Sequence, residues 1–250
     1  MSKLIGKAAL VTGGSRGIGA GIVKKLAAEG ADVAFTYVSE SSAEKADAIV
    51  AELVKNGTKA LAIYADSGNP KSIAAAVKKA ADSFGKLDIL VSNAGIIVLG
   101  PIEQADELEE QYDRQLDINV RAIPAAVRAA SKIMGDGGRI VIIGSTSGSS
   151  VGSPTATDYG ATKAAAAAYA RGYAWDLGAK GITVNVIQPG PVATDMNPDE
   201  GPLADYFKSK NALKRYGTVE EIAALVNFLV SAEAGFITGA TINIDGGTQA

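Results

Sequence analysis

The amino-acid sequence contains neither cysteine nor histidine. Without cysteine the chain forms no disulfide and offers no thiolate to a metal ion or to a reactive carbonyl. Without histidine it also lacks the side chain that most often carries protons at neutral pH. Any metal would be held by oxygen atoms alone, and we predict no metal site. If the protein transfers protons, tyrosine is the leading candidate for that role.

The sequence also has little net charge and no long apolar run near its start. The formal net charge is −3 over 250 residues, which gives no electrostatic reason to expect binding to nucleic acid or to an anionic membrane. The first apolar run, residues 8–13, is too short for a signal peptide or a transmembrane helix. We therefore expect a cytoplasmic protein that folds as one domain over residues 1–250.

Short apolar runs alternate with longer runs rich in alanine, lysine and glutamate. The short runs are typical of strands covered on both faces, and the longer runs favour helix. Repeated strand–helix–strand units predict an α/β fold: a single Rossmann-type, doubly wound parallel sheet of about seven strands with helices on both faces. The predicted strands are Lys7 to Thr12, Asp32 to Tyr37, Lys59 to Tyr64, Leu87 to Ser92, Arg139 to Gly144, Ile182 to Ile187 and Thr241 to Ile244, and the predicted helices lie near 17–29, 41–56, 70–84, 106–134, 157–178 and 218–230.

A glycine-rich turn follows the first predicted strand and precedes the first predicted helix. It reads Thr12-Gly13-Gly14-Ser15-Arg16-Gly17-Ile18-Gly19. Glycines let the backbone turn sharply and approach a pyrophosphate, and the N–H groups at the start of the next helix attract phosphate oxygens. The spacing differs from G-x-G-x-x-G, and no Gly-Lys-Ser/Thr follows, so this is not a kinase-type phosphate loop. A glycine-rich turn without a ligand is the alternative interpretation.

The end of the second predicted strand indicates which dinucleotide such a loop would bind. A site for NAD usually carries Asp or Glu there for the ribose 2′-hydroxyl, but this chain has no acidic residue between that strand and Glu40. Arg16 lies in the glycine loop, and hydroxyl groups are available at Ser39, Ser41 and Ser42. Because an arginine with hydroxyl donors suits a 2′-phosphate, we predict NADP(H) as the cofactor. The alternative for Arg16 is a solvated surface arginine.

Tyr159 and Lys163 stand four positions apart in the run Tyr-Gly-Ala-Thr-Lys, within a predicted helix. This spacing places both side chains on one face of the helix, one turn apart. A lysine ammonium beside a phenol favours the phenolate, so we expect Lys163 to lower the pKa of Tyr159 from its usual value of about 10. An ordinary surface pair is the alternative, since such pairs are common on helices.

Together these motifs resemble the short-chain dehydrogenase/reductase family over the whole chain. Residues 12–19 match the cofactor motif of that family. Ser92-Asn93-Ala94-Gly95 matches its Asn-Asn-Ala-Gly element, with serine in place of the first asparagine. Pro189, Gly190 and Thr194 match the loop that embraces nicotinamide. The motifs occur in the order and at the distances that the family shows.

Four further residues match the catalytic tetrad of the family: Asn119, Ser145, Tyr159 and Lys163. The resemblance implies hydride transfer between nicotinamide and a carbonyl or alcohol carbon. Tyr159 would give the carbonyl oxygen its proton, and Ser145 would stabilise the charge on that oxygen. Lys163 would hold the nicotinamide ribose and lower the pKa of Tyr159. Asn119 would bind a water molecule that links Lys163 to bulk solvent.

The expected cofactor-binding residues come from the glycine loop and from the positions that match motifs of the family. Asp66 matches the family position that meets the adenine ring, although a carboxylate that caps a turn at the end of a strand is the alternative. The full set is Gly13, Ser15, Arg16, Gly17, Ile18, Gly19, Tyr37, Ser39, Asp66, Asn93, Ala94, Gly95, Tyr159, Lys163, Pro189, Gly190, Val192 and Thr194.

Two residues compete for the role of catalytic serine. The separation between Ser145 and Tyr159 is one residue longer than the commonest family spacing, and a strict count selects Thr146, which also bears a hydroxyl. We prefer Ser145 because it directly follows the predicted strand that ends at Gly144. Related reductases also tolerate one inserted residue here.

Three segments are expected to line the substrate pocket: residues 96–100, 148–157 and 191–210, the last as a mobile lid. The first segment is apolar, which suits a hydrophobic ketone or alcohol better than a sugar. The closest resemblance is to 3-oxoacyl-carrier-protein reductases and related ketone reductases. Lys180 is a candidate contact for an acidic carrier protein, whereas Asp136 weakens that assignment.

Two functions of other classes stay open. One is a non-catalytic, nucleotide-binding regulatory protein, and the intact tetrad argues against it. The other is a sugar-nucleotide epimerase or dehydratase on the same fold, and the glycine spacing and short C-terminal part argue against that. The resemblance also implies a homotetramer, with the alanine-rich helix near 157–178 as a plausible interface.

Overall fold

The computed structural model describes residues 3–152 and 154–250, and a parallel sheet of seven strands forms its centre. The strands are β1 (Ala8–Val11), β2 (Asp32–Tyr37), β3 (Ala60–Tyr64), β4 (Ile89–Ser92), β5 (Arg139–Ile143), β6 (Thr183–Pro189) and β7 (Thr241–Ile244). Their order across the sheet is β3-β2-β1-β4-β5-β6-β7, and neighbouring strands are parallel throughout. The predicted fold class is confirmed, and each predicted strand is present with ends that move by at most two residues.

Helices cover both faces of the sheet. They are α1 (Gly17–Ala28), α2 (Glu40–Lys55), α3 (Pro70–Phe84), α4 (Glu109–Leu116), α5 (Ala122–Ser131), α6 (Thr157–Leu177), α7 (Pro202–Lys210) and α8 (Val219–Val230). Short 3-10 turns cover Ile102–Leu108, Thr146–Gly148, Gly178–Lys180 and Ala232–Ala234.

Side chains of each strand alternate between two buried layers. In β1, Leu10 packs with Ile73 and Ile140 beneath α3, α5 and α6. Its neighbour Val11 packs with Phe35 beneath α1, α2 and α8. Because both faces are buried, the strands are apolar throughout instead of alternating with polar residues.

The long helix predicted near 106–134 is interrupted. A π turn at Asp117–Arg121 separates α4 from α5. Pro124 has no N–H to donate to the carbonyl of Val120, four residues earlier, so the regular hydrogen-bond ladder is broken at this point. The π turn holds Asn119 in the interior, where it is 3% exposed.

The segment that the sequence assigned to a lid contains a helix. Pro202 stands in the first turn of α7, where its missing N–H costs nothing. Ala204 is buried, whereas Leu203 and Tyr206 are exposed. The mobility of residues 191–210 stays a prediction.

Gly19 lies where α1 passes closest to the glycine loop. A Cβ atom there would lie 2.1 Å from the carbonyl oxygen of Gly13 and 2.6 Å from the amide nitrogen of Asn93. Neither neighbour is the far end of a flexible, unbound side chain, since Asn93 is itself hydrogen-bonded to the loop. Any side chain at this position therefore has to move backbone.

We predict that Gly19→Ala lowers the free energy of unfolding by about 2 kcal/mol or more, because the loop and helix must separate. Gly135→Ala is the matched control, since a Cβ there meets no atom within 4 Å, and it should change stability by less than about 0.5 kcal/mol. Urea unfolding followed by circular dichroism measures both. Equal stability of the two variants would contradict the close approach.

Candidate active site

The cleft lies at the carboxyl ends of the strands, between β1 and β4, where the strand order reverses. The connections after these two strands run to opposite sides, so their loops part and leave a cavity of about 550 Å³. Asn119 lies behind the cleft wall. The other predicted catalytic and cofactor-binding residues line the cavity: Gly13, Ser15, Arg16, Gly17, Ile18, Gly19, Tyr37, Ser39, Asp66, Asn93, Ala94, Gly95, Ser145, Tyr159, Lys163, Pro189, Gly190, Val192 and Thr194.

Asn93 holds the glycine loop against the end of β4. Its amide nitrogen donates to the carbonyl oxygens of Thr12 at 2.9 Å and Gly13 at 3.0 Å, and its backbone N–H donates to the Thr12 hydroxyl at 2.9 Å. Gly13 has a φ of +67°, which glycine adopts without strain. Asn93 therefore both lines the cleft and supports its glycine wall.

The N-terminus of α1 opens into the cleft. Arg16 is its capping residue, and among the described residues no side chain caps this end and no acidic residue lies in the first turn. The free N–H groups and the positive end of the helix dipole are thus available to an anion. This arrangement suits the phosphates of a nucleotide.

Tyr159 and Lys163 extend from the first two turns of α6 toward the end of β5. The ammonium nitrogen of Lys163 lies 5.7 Å from the centroid of the Tyr159 ring and donates to the carbonyl oxygen of Ile143 at 3.3 Å. Lys163 is only 6% exposed. The two side chains share one face of the helix; Lys163 is buried and Tyr159 is half-buried.

Burial dominates the electrostatics of this pair. It raises the pKa of Tyr159 above its ordinary value, an effect that a hydrogen bond with Ser145 partly offsets. Burial also lowers the pKa of Lys163 to about 8, because the ammonium loses its hydration. The expectation that Lys163 lowers the pKa of Tyr159 is wrong in this structure, since desolvation raises that pKa and the lowering contribution comes from Ser145.

Ser145 and Thr146 point in different directions. The Ser145 hydroxyl accepts a hydrogen bond from the backbone N–H of Ser147 at 3.2 Å and also hydrogen-bonds Tyr159. The Thr146 hydroxyl is buried and donates to the carbonyl oxygen of Pro189 at 3.4 Å. Ser145 therefore faces the cleft with Tyr159, whereas Thr146 joins the loop to β6.

Asn119 supports the cleft wall from behind. Its amide nitrogen donates to the carbonyl oxygen of Ile96 at 2.8 Å and to the Thr162 hydroxyl at 3.1 Å. Its amide oxygen accepts from the backbone N–H of Ile96 at 2.9 Å. Both amide hydrogens are thus used to tie the segment after β4 to α6. The expected water molecule would have to bind the remaining oxygen atoms of this residue.

Gln115 lies one turn before Asn119 and supports the same wall of the cleft, although the sequence analysis did not predict this role. Its side-chain oxygen accepts a hydrogen bond from the backbone N–H of Val98 at 2.6 Å. The backbone N–H of Gly100 donates to the carbonyl oxygen of Thr155 at 3.1 Å. The predicted pocket segments 96–100 and 148–157 therefore meet, although Ser153 of the second segment lies outside the described residues.

Asp66 is held by an arginine that the sequence analysis missed. Arg114 donates to both of its carboxylate oxygens, at 3.1 and 2.5 Å, and the backbone N–H of Gly68 donates at 2.9 Å. The hydrogen bond with Arg114 holds the pKa of Asp66 below its usual value. The bond to Gly68 also bears out the turn-capping alternative for this carboxylate, which nevertheless lines the cleft.

Hydroxyl groups and two cations gather at the end of β2. Ser39 hydrogen-bonds Ser41 at 3.0 Å and Ser42 at 2.8 Å through their hydroxyls. Arg16 and Lys45 line the same part of the cleft. Lys45 was missed by the sequence analysis, although its position four residues after Ser41 places both on one face of α2.

The family can be decided by comparison with known proteins. A family profile described as "Enoyl-(Acyl carrier protein) reductase" matches residues 13–249. The chain is 48% identical to a short-chain dehydrogenase from Burkholderia cenocepacia J2315, solved in complex with NADP; the match covers 99% of this chain and 100% of that chain, with a TM-score of 0.96. This chain belongs to the short-chain dehydrogenase/reductase family.

Two curated relatives within this range of similarity carry different names. The chain is 43% identical over 247 residues to the cyclic-di-GMP-binding biofilm dispersal mediator protein of Escherichia coli, covering 98% of each. It is 37% identical over 252 residues to a 3-oxoacyl-[acyl-carrier-protein] reductase of Synechocystis sp., covering 99% of this chain and 98% of that protein. The predicted family is confirmed, and it is a family of oxidoreductases.

No helix within residues 3–152 and 154–250 combines the length and apolar character needed to cross a membrane. The helix that carries Tyr159 and Lys163 is the longest, but charged residues such as Arg171 and Asp176 lie along it.

We predict that Lys163→Met raises the free energy of unfolding at pH 7 by about 1–3 kcal/mol, because it removes a buried ammonium. The folded pKa of about 8 lies below the usual 10.5, so the unfolded parent binds more protons between these values. The stability of the parent therefore rises with pH in this window, and the advantage of the variant should shrink toward pH 10.

Urea unfolding of both proteins at pH 7 and pH 10 measures this difference. Lys132→Met removes an exposed lysine and serves as the control, with no expected gain at either pH. An advantage for Lys163→Met that stayed constant or grew with pH would show that its amine is not the cause.

Proposed function

We propose that the protein is an NADPH-dependent oxidoreductase that transfers a hydride to a ketone carbonyl and, in reverse, oxidises the alcohol. The observation that carries this proposal is the meeting of Ser145, Tyr159 and Lys163 in the cleft that the glycine loop borders. The similarity to a dehydrogenase solved with NADP supports the choice of cofactor.

The residues of the cleft fit a dinucleotide with a 2′-phosphate. Gly13, Gly17 and Gly19 line the cleft without side chains, and the start of α1 offers N–H groups to a pyrophosphate. Arg16 and Lys45, with the serine hydroxyls that follow β2, meet the charge and hydrogen-bond requirements of a 2′-phosphate. NADPH supplies the hydride when it is bound there.

Tyr159 is the general acid in this proposal. Because burial raises its pKa, the phenol keeps its proton at neutral pH and is ready to donate it to the carbonyl oxygen. Ser145 hydrogen-bonds Tyr159 and can donate to the same oxygen, which stabilises the developing negative charge. Lys163 would hold the nicotinamide ribose, and its pKa of about 8 lets it exchange protons near neutrality. Asn119 would bind the water molecule that returns the proton.

A hydrophobic ketone is the substrate class that the cleft fits best. Ile96, Ile97 and Met196 line its open side, and Ile97 and Met196 are both more than 40% exposed. A 3-oxoacyl-carrier-protein substrate is a narrower alternative, supported by the relative from Synechocystis sp.. Lys180 is exposed and suits an acidic carrier, but Asp136 lies exposed in the nearby loop.

A nucleotide-binding regulatory role is a second candidate, favoured by the name of the relative from Escherichia coli. In that role the chain would bind nucleotide without turning over a ketone. Isothermal titration with cyclic di-GMP, with and without NADPH, tests it. Binding that NADPH abolishes would place both nucleotides in one cleft.

We further propose that the protein assembles as a cytoplasmic homotetramer. Trp175 and Phe236 are 91% and 103% exposed, which favours their burial against other copies of the chain. The edge strand β7 also leaves one side of the sheet unpaired in the single chain. The cytoplasmic location follows from the proposed use of NADPH, an intracellular reductant.

We predict that Tyr159→Phe lowers kcat for ketone reduction at least about 100-fold, because the proton donor is lost. The assay follows NADPH consumption with β-ketoacyl thioesters, cyclic ketones, diketones and quinones, and repeats the best substrate with NADH. Tyr169→Phe, on the same helix, is the control and should retain the parent rate. A Tyr159→Phe enzyme as fast as the parent would refute the mechanism, and a parent inactive on every ketone would favour the regulatory role.

We predict that Ser145→Ala lowers kcat about 100-fold, whereas Ser147→Ala lowers it less than about 3-fold. Both variants remove a hydroxyl from the same turn, but Ser147 contributes its backbone N–H, which the substitution keeps. Steady-state kinetics at saturating NADPH compare the two. Equal losses would remove the distinction that the structure draws between these serines.

A further inference from the structure

Asp195 lies between two cations at the β2 end of the cleft. Its Oδ2 atom accepts a hydrogen bond from Nη1 of Arg16 at 3.1 Å and lies 3.9 Å from Nζ of Lys45. Arg16 caps α1, Lys45 lies in the second turn of α2, and Asp195 follows β6. Three segments far apart in sequence therefore meet at one carboxylate.

The surroundings suit an anion with more oxygen atoms than a carboxylate has. The hydroxyls of Ser39, Ser41 and Ser42 border the same part of the cleft as the two cations. The side chains of Arg16, Lys45 and Asp195 are 46%, 59% and 45% exposed. Exposed ion pairs are weak, so the carboxylate can be exchanged for a phosphate that carries more charge.

We propose that Asp195 is an internal counterion seated where the 2′-phosphate of the cofactor would bind, and that Lys45 is the second cation of that subsite. Entry of the phosphate displaces the carboxylate, because two anions at one pair of cations repel each other. This inference rests on the proposed NADPH-dependent function. Lys45 and Asp195 thereby help to determine selectivity between NADPH and NADH.

Asp195 belongs to a segment that runs between the two ends of the cleft. Thr194 precedes Asp195, and its side chain lies 3.5 Å from the place where a Cβ of Gly17 would stand. The same segment runs back through Val192 and Gly190 to the wall beside Ser145. Binding of a 2′-phosphate therefore removes the ion pair that joins this segment to Arg16, whereas a nucleotide without that group leaves the ion pair in place.

The test measures the binding of two fragments by isothermal titration at fixed ionic strength. Adenosine 2′,5′-bisphosphate carries the 2′-phosphate, and 5′-AMP lacks it. We expect Asp195→Asn to bind the bisphosphate about tenfold more tightly than the parent does, because the competing charge is gone, while affinity for 5′-AMP changes less than about twofold. Asp199→Asn removes the same charge four residues later and is the control, with no expected change.

Lys45→Met tests the second cation. It should weaken binding of the bisphosphate about tenfold and leave binding of 5′-AMP unchanged, because it removes one charge-assisted contact. Lys55→Met, at the far end of α2, is its control. All four positions are exposed, so thermal unfolding is expected to show parent-like stability for each variant.

The outcomes separate this inference from the function on which it rests. A parent that binds both fragments equally well would overturn the NADPH assignment and this inference with it. A parent that prefers the bisphosphate, combined with unchanged or weaker binding by Asp195→Asn, would overturn the inference alone. In that case the ion pairs of Asp195 would help to hold the bound nucleotide, and the carboxylate would not compete with the 2′-phosphate.

Discussion

The hydrogen bonds from Asn93 to the carbonyl oxygens of Thr12 and Gly13 are the interaction on which the cleft depends. They join the ends of β1 and β4, the two strands between which the strand order reverses. Thr36 of β2 holds the other side of the loop, since it accepts hydrogen bonds from the backbone N–H groups of Gly13 and Gly14, each at 2.9 Å. With the loop fixed, the start of α1 points at the same space that Ser145 and Tyr159 face from the other side.

The end of the cleft that holds Tyr159 and Lys163 is at an energetic disadvantage. Lys163 carries a buried amine, and among the described residues its hydrogen-bond acceptor is a single backbone carbonyl, that of Ile143. A protein selected only for stability would place an apolar side chain there. The same burial keeps the phenol of Tyr159 protonated, so one physical cause shapes both groups in opposite directions.

Local patterns in the sequence were sufficient to predict the sheet, but they could not predict contacts between residues that are distant in sequence. Apolar runs identified the strands because both faces of the sheet are buried. The π turn at Asp117–Arg121 was not predicted, because the alanine and arginine residues around it favour helix. Pro124 was the one residue in the sequence that indicated an interruption there. The pair of Asp66 and Arg114 joins residues 48 positions apart, and no local pattern predicts such a meeting.

The pKa of Tyr159 was misjudged for a related reason. The i,i+4 spacing revealed the neighbouring amine, but the degree of burial follows from how β5, α6 and the loops pack together. The contact between Lys45 and Asp195 was likewise not predictable, since it depends on the path of the chain after β6. The resemblance to a family supplied positions for the chemistry, and the folded chain supplied their environment.

The groups proposed to react are attached to rigid elements of the fold. Ser145 directly follows β5, whereas the phenol and the amine are both carried by α6, so their mutual placement is inherited from helix geometry. Because both groups lie on α6, a change in the length of the loop before that helix leaves their mutual placement as it is. The one-residue excess over the usual family spacing is such a change. Such changes alter the wall of the cleft and leave the spacing between the phenol and the amine as it is.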